Sequence, residues 1–135
     1  MPNNMAGDAV TVLVVDDQAP FRAVAGTVVS MTPGFVLVGE AESGEEAVAM
    51  ASRLSPGVVL MDINLPGIDG LEATRQITNS SPATVVILLS TYRDADLPFG
   101  AETCGAARYV HKEEFEPTVL TDVWEASTSG RGACR

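Results

Sequence analysis

The stretch Val10-Thr11-Val12-Leu13-Val14-Val15-Asp16-Asp17 decides how the rest of the chain is read. Apolar and β-branched residues run without polar alternation and stop abruptly at two acids. The β-branched density predicts a strand. The missing alternation predicts a strand buried on both faces, as in a parallel sheet. Four further runs have strand character: Phe35–Gly39, Val58–Met61, Thr84–Leu89 and Ala107–Val110. Val58–Met61 and Thr84–Leu89 share the unbroken apolar pattern of the first run.

Segments with helical spacing lie between and after these runs. Phe21, Val24 and Val28 outline the apolar face of the first, with Pro20 near its start, where a missing N–H costs nothing. Ser43 and Glu46 read as a capping box opening the second, whose apolar face is Ala47, Ala51 and Leu54. Gly70 to Thr78 is the third, through Leu71, Thr74 and Ile77. Asp94 to Cys104 is the fourth and weakest, because Pro98 and Gly100 sit inside it. Glu116 to Ser127 is the last, with Pro117 near its start and Leu120, Val123 and Trp124 on one face. Strand then helix, repeated along the chain, predicts a parallel sheet with right-handed crossovers and helices on both faces.

The chain has 135 residues, one domain by length. A domain of that size buries roughly two-thirds of its unfolded surface, so its core needs no staple. A hydrophobic fraction of 46% and a charged fraction of 19% are globular values. Eighteen acids against eight bases, a net charge of −10, argue against direct binding of nucleic acid or anionic lipid by this chain. Cys104 and Cys134 stand alone, without metal-ligand spacing, and point to a reducing compartment. No signal peptide opens the sequence and no apolar run approaches the ~20 residues of a membrane helix, so the expected location is cytoplasmic.

The strand ends carry the chemistry. The first closes on Asp16-Asp17, the third on Asp62 and the fourth on Ser90-Thr91, while the fifth leads through His111 to Lys112, the single lysine of the chain. Parallel strands bring these ends to one edge, beside the reversal in strand order where open α/β sheets bind ligands. Clustered carboxylates repel one another unless a hard cation joins them, and Mg²⁺ takes carboxylate, carbonyl and phosphate oxygens. A carboxylate can also serve as nucleophile toward phosphorus, with an ammonium and a hydroxyl stabilising the transferring group.

Four segments resemble the receiver domains of two-component response regulators. They are Val14-Val15-Asp16-Asp17, Leu60-Met61-Asp62-Ile63-Asn64-Leu65-Pro66-Gly67-Ile68-Asp69-Gly70-Leu71-Glu72, Leu88-Leu89-Ser90-Thr91 and Gly105-Ala106-Ala107-Arg108-Tyr109-Val110-His111-Lys112. The similarity spans Val10 to Ser127 and is in the style of receivers attached to helix-turn-helix outputs. It implies a flavodoxin-like (βα)5 fold: a doubly wound, five-stranded parallel sheet in the order 2-1-3-4-5, helices on both faces. By the resemblance Asp62 is the phosphoacceptor, supplied by a sensor histidine kinase or a small phosphodonor. Asp17, Asp62 and the Asn64 backbone carbonyl hold Mg²⁺ directly, and Asp16 acts through water. Lys112 pairs first with Asp62 and then with the phosphoryl oxygens; Ser90 is the family's hydroxyl. Tyr109 is the switch aromatic, turning inward as Ser90 is drawn to the phosphate. Asn64 and Tyr92 occupy positions that tune phosphoryl loss. One departure is Glu113 where the family commonly has proline after the lysine, which predicts an all-trans loop.

The resemblance further implies residues 9–127 as the receiver, with 1–8 and 128–135 as short flexible tails. It implies a signalling phosphoacceptor rather than an enzyme on a second substrate. Its partner is a downstream protein or a second copy, met through the fourth helical segment, the fifth strand and the last helix. A stand-alone receiver is the favoured organisation; a fragment of a DNA-binding regulator and a phosphorylation-independent adaptor are the alternatives. A haloacid-dehalogenase-type phosphohydrolase is disfavoured because Asn64 replaces the general-acid Asp it needs. A flavodoxin is disfavoured because Asp16-Asp17 replaces a phosphate loop. Simpler readings are also available: Asp16-Asp17 as a helix-capping pair, His111 as structural or solvent-facing, Cys104 as a core residue of the fourth helix and Cys134 as a tail thiol. Trp124 suits core or interface, Pro66, Gly67 and Gly70 a tight turn, and Glu113, Glu114 and Glu116 a solvated helix start.

Overall fold

A computed structural model describes residues 9–91, 100 and 103–133. The five apolar runs form strands β1 (Val10–Val15), β2 (Phe35–Ala41), β3 (Val58–Asp62), β4 (Val85–Ser90) and β5 (Arg108–His111). Helices α1 (Ala19–Ser30), α2 (Gly44–Leu54) and α3 (Gly70–Ser80) follow the first three strands, and α4 (Pro117–Ala133) ends the described chain. The strands pair in parallel in the order β2-β1-β3-β4-β5.

Why the inner strands show no alternation is plain from the core. Leu13 and Val15, Val59 and Met61, Val86 and Leu88 pack on one side with α2 and α3 residues such as Ala47, Ala51, Leu71 and Ile77. Val12 and Val14, Val58 and Leu60, Val85, Ile87 and Leu89 pack on the other with Ala25 and Val29 of α1 and Leu120 and Val123 of α4. Both side-chain rows of a central strand are therefore buried, and each must be apolar. β2 lies at an edge, and Val36 and Val38 are exposed on it. A register shift against β1 between Val12 and Leu13 leaves Val38 without a facing partner, a bulge in that edge.

Several expectations shift in detail. Val24 is 52% exposed; α1 buries Ala25 and Val29 instead, with Phe21 and Val28 partly buried. A small alanine lets the helix sit close to the sheet, which rotates the buried stripe by one position. The Ser43 hydroxyl accepts from the Glu46 N–H at 3.1 Å, but the Glu46 carboxylate takes the Glu42 N–H at 2.8 Å, so the reciprocal half of the box reaches one residue further back. α4 runs from Pro117 to Ala133, six residues past the expected helix end at Ser127. Within it Thr128 turns its hydroxyl back onto the Trp124 carbonyl at 2.9 Å, sealing a group that favours leaving a helix. The fourth helical segment lies mostly outside the described residues. Cys104 is buried in the core but sits in a turn rather than a helix. The Trp124 ring meets Phe35 edge to face, with centroids 6.4 Å apart, which closes the α4 side of the core.

Candidate functional site

The C-terminal ends of β1 and β3 flank the point where strand order reverses, and there the carboxylates meet. Asp16, Asp17 and Asp62 each offer an oxygen within 4.8 Å of the others. Asp16 and Asp62 continue the even-numbered rows of β1 and β3, the rows packed toward α1 and α4. Both are buried, whereas Asp17, the residue after Asp16, is exposed. Lys112 reaches in from the end of β5. Its Nζ lies 2.7 Å from Asp16 Oδ2 and 3.5 Å from Asp62 Oδ1, and 4.6 Å from the centre of the Phe21 ring. The lysine therefore bridges both buried acids, and its shorter contact is to Asp16 rather than to Asp62. One ammonium shared by two buried carboxylates, seated on an aromatic face, compensates charge that neither acid could carry alone.

Asp62 remains under-compensated. Burial, and next the neighbouring Asp16 charge, push its carboxyl from 3.8 up to about 6. Lys112 and a hydrogen bond from the Asn64 backbone pull the other way without cancelling that rise. A crowded oxygen cluster of this kind suits a hard divalent cation. All the donors are oxygens, Asp17 faces solvent, and its carboxylate makes no hydrogen bond or ion pair with another described residue. The residues present fit Mg²⁺.

The loops around the cluster are held tightly. The Asp16 N–H donates to Ala41 O at 3.0 Å, and Asp16 Oδ1 accepts from the Gln18 N–H at 2.8 Å. After β3, Asp69 caps α3 by accepting from the Glu72 N–H at 2.9 Å. A Cβ at Gly70 would fall on the Asp62 carbonyl oxygen and within 2.9 Å of Ile63 Cα. Only glycine lets α3 start this close behind Asp62. Gly67 has φ +74°, the left-handed region, so the turn nature of this loop is backbone chemistry. Asn64 is exposed at the mouth.

Ser90 is buried at the end of β4 and continues the Val86–Leu88 row, whose cluster includes Tyr109 at its margin. The Tyr109 hydroxyl oxygen is buried. Tyr92 lies outside the described residues. His111 is a tie: its Nδ1 accepts from the Glu113 N–H, and its Nε2 meets the Thr91 carbonyl, each at 3.1 Å. With Nδ1 accepting, Nε2 is the ring nitrogen that donates to the Thr91 carbonyl. Lys112–Glu114 form a single 3-10 turn, and no peptide bond is cis among the described residues.

Two supporting residues were not singled out from sequence. Arg22 donates from Nη1 to the Asp16 carbonyl at 2.7 Å and from Nε to Glu40 at 3.1 Å. Glu45 of α2 accepts from the Ile68 N–H at 3.1 Å and so ties the loop after β3. The signal for Arg22 was its isolation as the one charged residue of α1. Glu45 gave none, because acids are ordinary in a first helical turn.

Fold and crest together define a class: a flavodoxin-like α/β domain with three carboxylates and a lysine converging at its strand ends. Within that class the chain belongs to the response regulator receiver family, whose domain description matches residues 12–124. It is 41% identical over 103 residues to the response regulator GacA of Pseudomonas protegens, covering 76% of this chain and 48% of that protein. The structure of a LuxR-family two-component response regulator from Aurantimonas sp. SI85-9A1 superposes with a TM-score of 0.79 at 30% identity, covering 90% of this chain and 86% of that one. The response regulator domain of Thermotoga maritima CheB gives 0.77 at 30% identity, covering 89% and 97%. The chain spans about half the length of the curated relatives it matches, 48% for GacA and 44% for DegU of Brevibacillus brevis. Among the described residues no helix is long and apolar enough to cross a membrane.

Proposed function

We propose that this receiver accepts a phosphoryl group on Asp62 from a sensor histidine kinase or a small phosphodonor. The observation that carries the reading is the convergence of Asp16, Asp17 and Asp62 oxygens within 4.8 Å, bridged by the Lys112 ammonium. An Asp62 oxygen attacks phosphorus, and the bond from phosphorus to the donor breaks. Asp17, Asp62 and the Asn64 carbonyl would hold Mg²⁺ directly, with Asp16 acting through water. Bound there, the cation supplies charge neutralisation to the donor phosphate and the carboxylates. Lys112 already lies within 3.5 Å of the acceptor carboxylate, so it needs little movement to meet the transferred oxygens.

Phosphorylation adds charge and acceptor oxygens that draw Ser90 and Lys112 together, shifting the population of the face made by the fourth helical segment, β5 and α4. Tyr109, beside Ser90 on the same side of the sheet, reports that shift to a protein partner or a second copy of the chain. The chemistry is the domain's own: phosphotransfer onto Asp62, then hydrolysis of the acyl phosphate by water, which releases inorganic phosphate and restores the carboxylate. Intact mass after treatment with acetyl phosphate tests the core of the reading. The expected result is a Mg²⁺-dependent gain of one phosphoryl group, absent in Asp62→Asn. A folded wild-type protein that gains none, or an Asn variant that gains one, overturns it. For the switch, a Tyr109→Ala protein whose partner binding still responds fully to phosphorylation would remove the tyrosine from the mechanism.

A further inference from the structure

We infer that Arg22 is a positioning residue for the cation site, acting through the Asp16–Asp17 peptide; the inference rests on the Mg²⁺ reading above. Asp17 is the exposed member of the acidic triad, and no described side chain or backbone group holds its carboxylate. Its place depends on the peptide that precedes it. Arg22 holds the carbonyl of that peptide, and the peptide before it is tied to β2, so Asp16 is fixed on both sides of its Cα. The Asp16 N–H goes to Ala41 O, and the Asp16 carbonyl accepts from Arg22 Nη1 at 2.7 Å, a short, charge-assisted bond.

The rest of the guanidinium points away from the triad. Nε meets Glu40 Oε1 at 3.1 Å and Nη2 lies 3.6 Å from Glu42 Oε2, at the end of β2 and just beyond it. The side chain is only 14% exposed. Arg22 thus spans α1, the acidic turn and the end of β2 with one planar fork, which a lysine's single head cannot reproduce. Its charge is matched by Glu40 and Glu42, not by Asp16 or Asp17. The triad keeps its negative charge for a metal while its backbone is locked. Residues that orient ligands without touching a metal typically change its affinity by 10–100-fold.

The experiment is calorimetric titration of the full chain with Mg²⁺ alone, for wild type, Arg22→Gln and Arg22→Lys. Folding is checked by circular dichroism and urea unfolding without metal. Charge alone predicts tighter Mg²⁺ binding when a cation near three acids is removed. Positioning predicts the opposite sign: about tenfold or greater weakening in Arg22→Gln and an intermediate loss in Arg22→Lys. Unchanged or tighter binding by folded Arg22→Gln overturns the inference, as does lost stability with unchanged affinity, which is a purely structural role. If Arg22→Gln does not fold, Arg22→Lys decides, and wild-type affinity in it is the refuting result. Absence of Mg²⁺ binding by folded wild type refutes the cation reading itself, and with it any positioning toward a cation.

Discussion

Replacing Asp62 by asparagine should make the metal-free protein more stable near neutral pH and leave it nearly unchanged in acid. Burial and then the Asp16 charge raise this carboxyl from 3.8 to about 6. Between those values the folded state binds more protons than the unfolded chain, so this group's contribution to stability falls as pH rises through the window. Below about pH 4 the cost is nearly absent, because the carboxyl is protonated in both states. Above about pH 6 it is complete. At roughly 1.4 kcal/mol for each pH unit, the rise corresponds to about 3 kcal/mol of destabilisation, already net of the Lys112 attraction.

Asparagine keeps the size and one acceptor oxygen and removes the charge. Urea unfolding with a chelator present should therefore show Asp62→Asn more stable by about 1–3 kcal/mol at about pH 7.5, with most of that gain gone at about pH 4. Comparing the two proteins at each pH cancels the titration of all the other acids. Saturating Mg²⁺ should narrow the gap at about pH 7.5, because ligand binding stabilises by mass action, about 2.7 kcal/mol at 100 times the dissociation constant. A variant no more stable than wild type at the higher pH refutes the reasoning. An equal gain at both pH values does too, since a cost unrelated to ionisation would have no window.

Gly70→Ala should lose about 1–3 kcal/mol in urea unfolding and weaken Mg²⁺ binding, because the added methyl overlaps the Asp62 carbonyl and displaces the loop; wild-type behaviour in both would show that the loop yields freely. Asp69→Ala removes the cap on the Glu72 N–H and should cost about 1 kcal/mol, read from the same unfolding curves, and a neutral result would discount that bond. Leu60→Ala opens a cavity at a fully buried centre of β3 and should cost about 2–5 kcal/mol; a loss well below that would mean the sheet collapses around it. His111→Leu should speed hydrogen exchange at the Glu113 amide, which loses its imidazole acceptor, and unchanged exchange there would dismiss the tie.

Much was legible from residues alone because it depends on neighbours along the chain. Val10–Val15, Val58–Met61 and Thr84–Leu89 announce buried strands, since a strand between two helical layers needs apolar groups in both rows. The acids, the hydroxyl and the single lysine could be placed on one crest because parallel strands end on the same side. Ser43 and Pro20 marked helix starts through groups a few residues apart.

Tertiary structure decided the remainder, because it depends on distances between segments remote in sequence. Lys112 lies closer to Asp16 than to Asp62, a matter of how β5 sits against β1 and β3 across the crest. Arg22 finds the Asp16 carbonyl and Glu40 together only once α1 lies against β1 and β2. α1 buries Ala25 and leaves Val24 outside, a choice of helix rotation that an apolar pattern with valines on several faces does not specify. The pKa of Asp62 is likewise a property of the assembled crest, since neither its burial nor its nearness to Asp16 exists before β1 and β3 pair. The sequence by itself determined the element types and the chemical groups at their ends. Packing determined which of those groups touch, because contact across a sheet is set by register and helix rotation, which no local run of residues encodes.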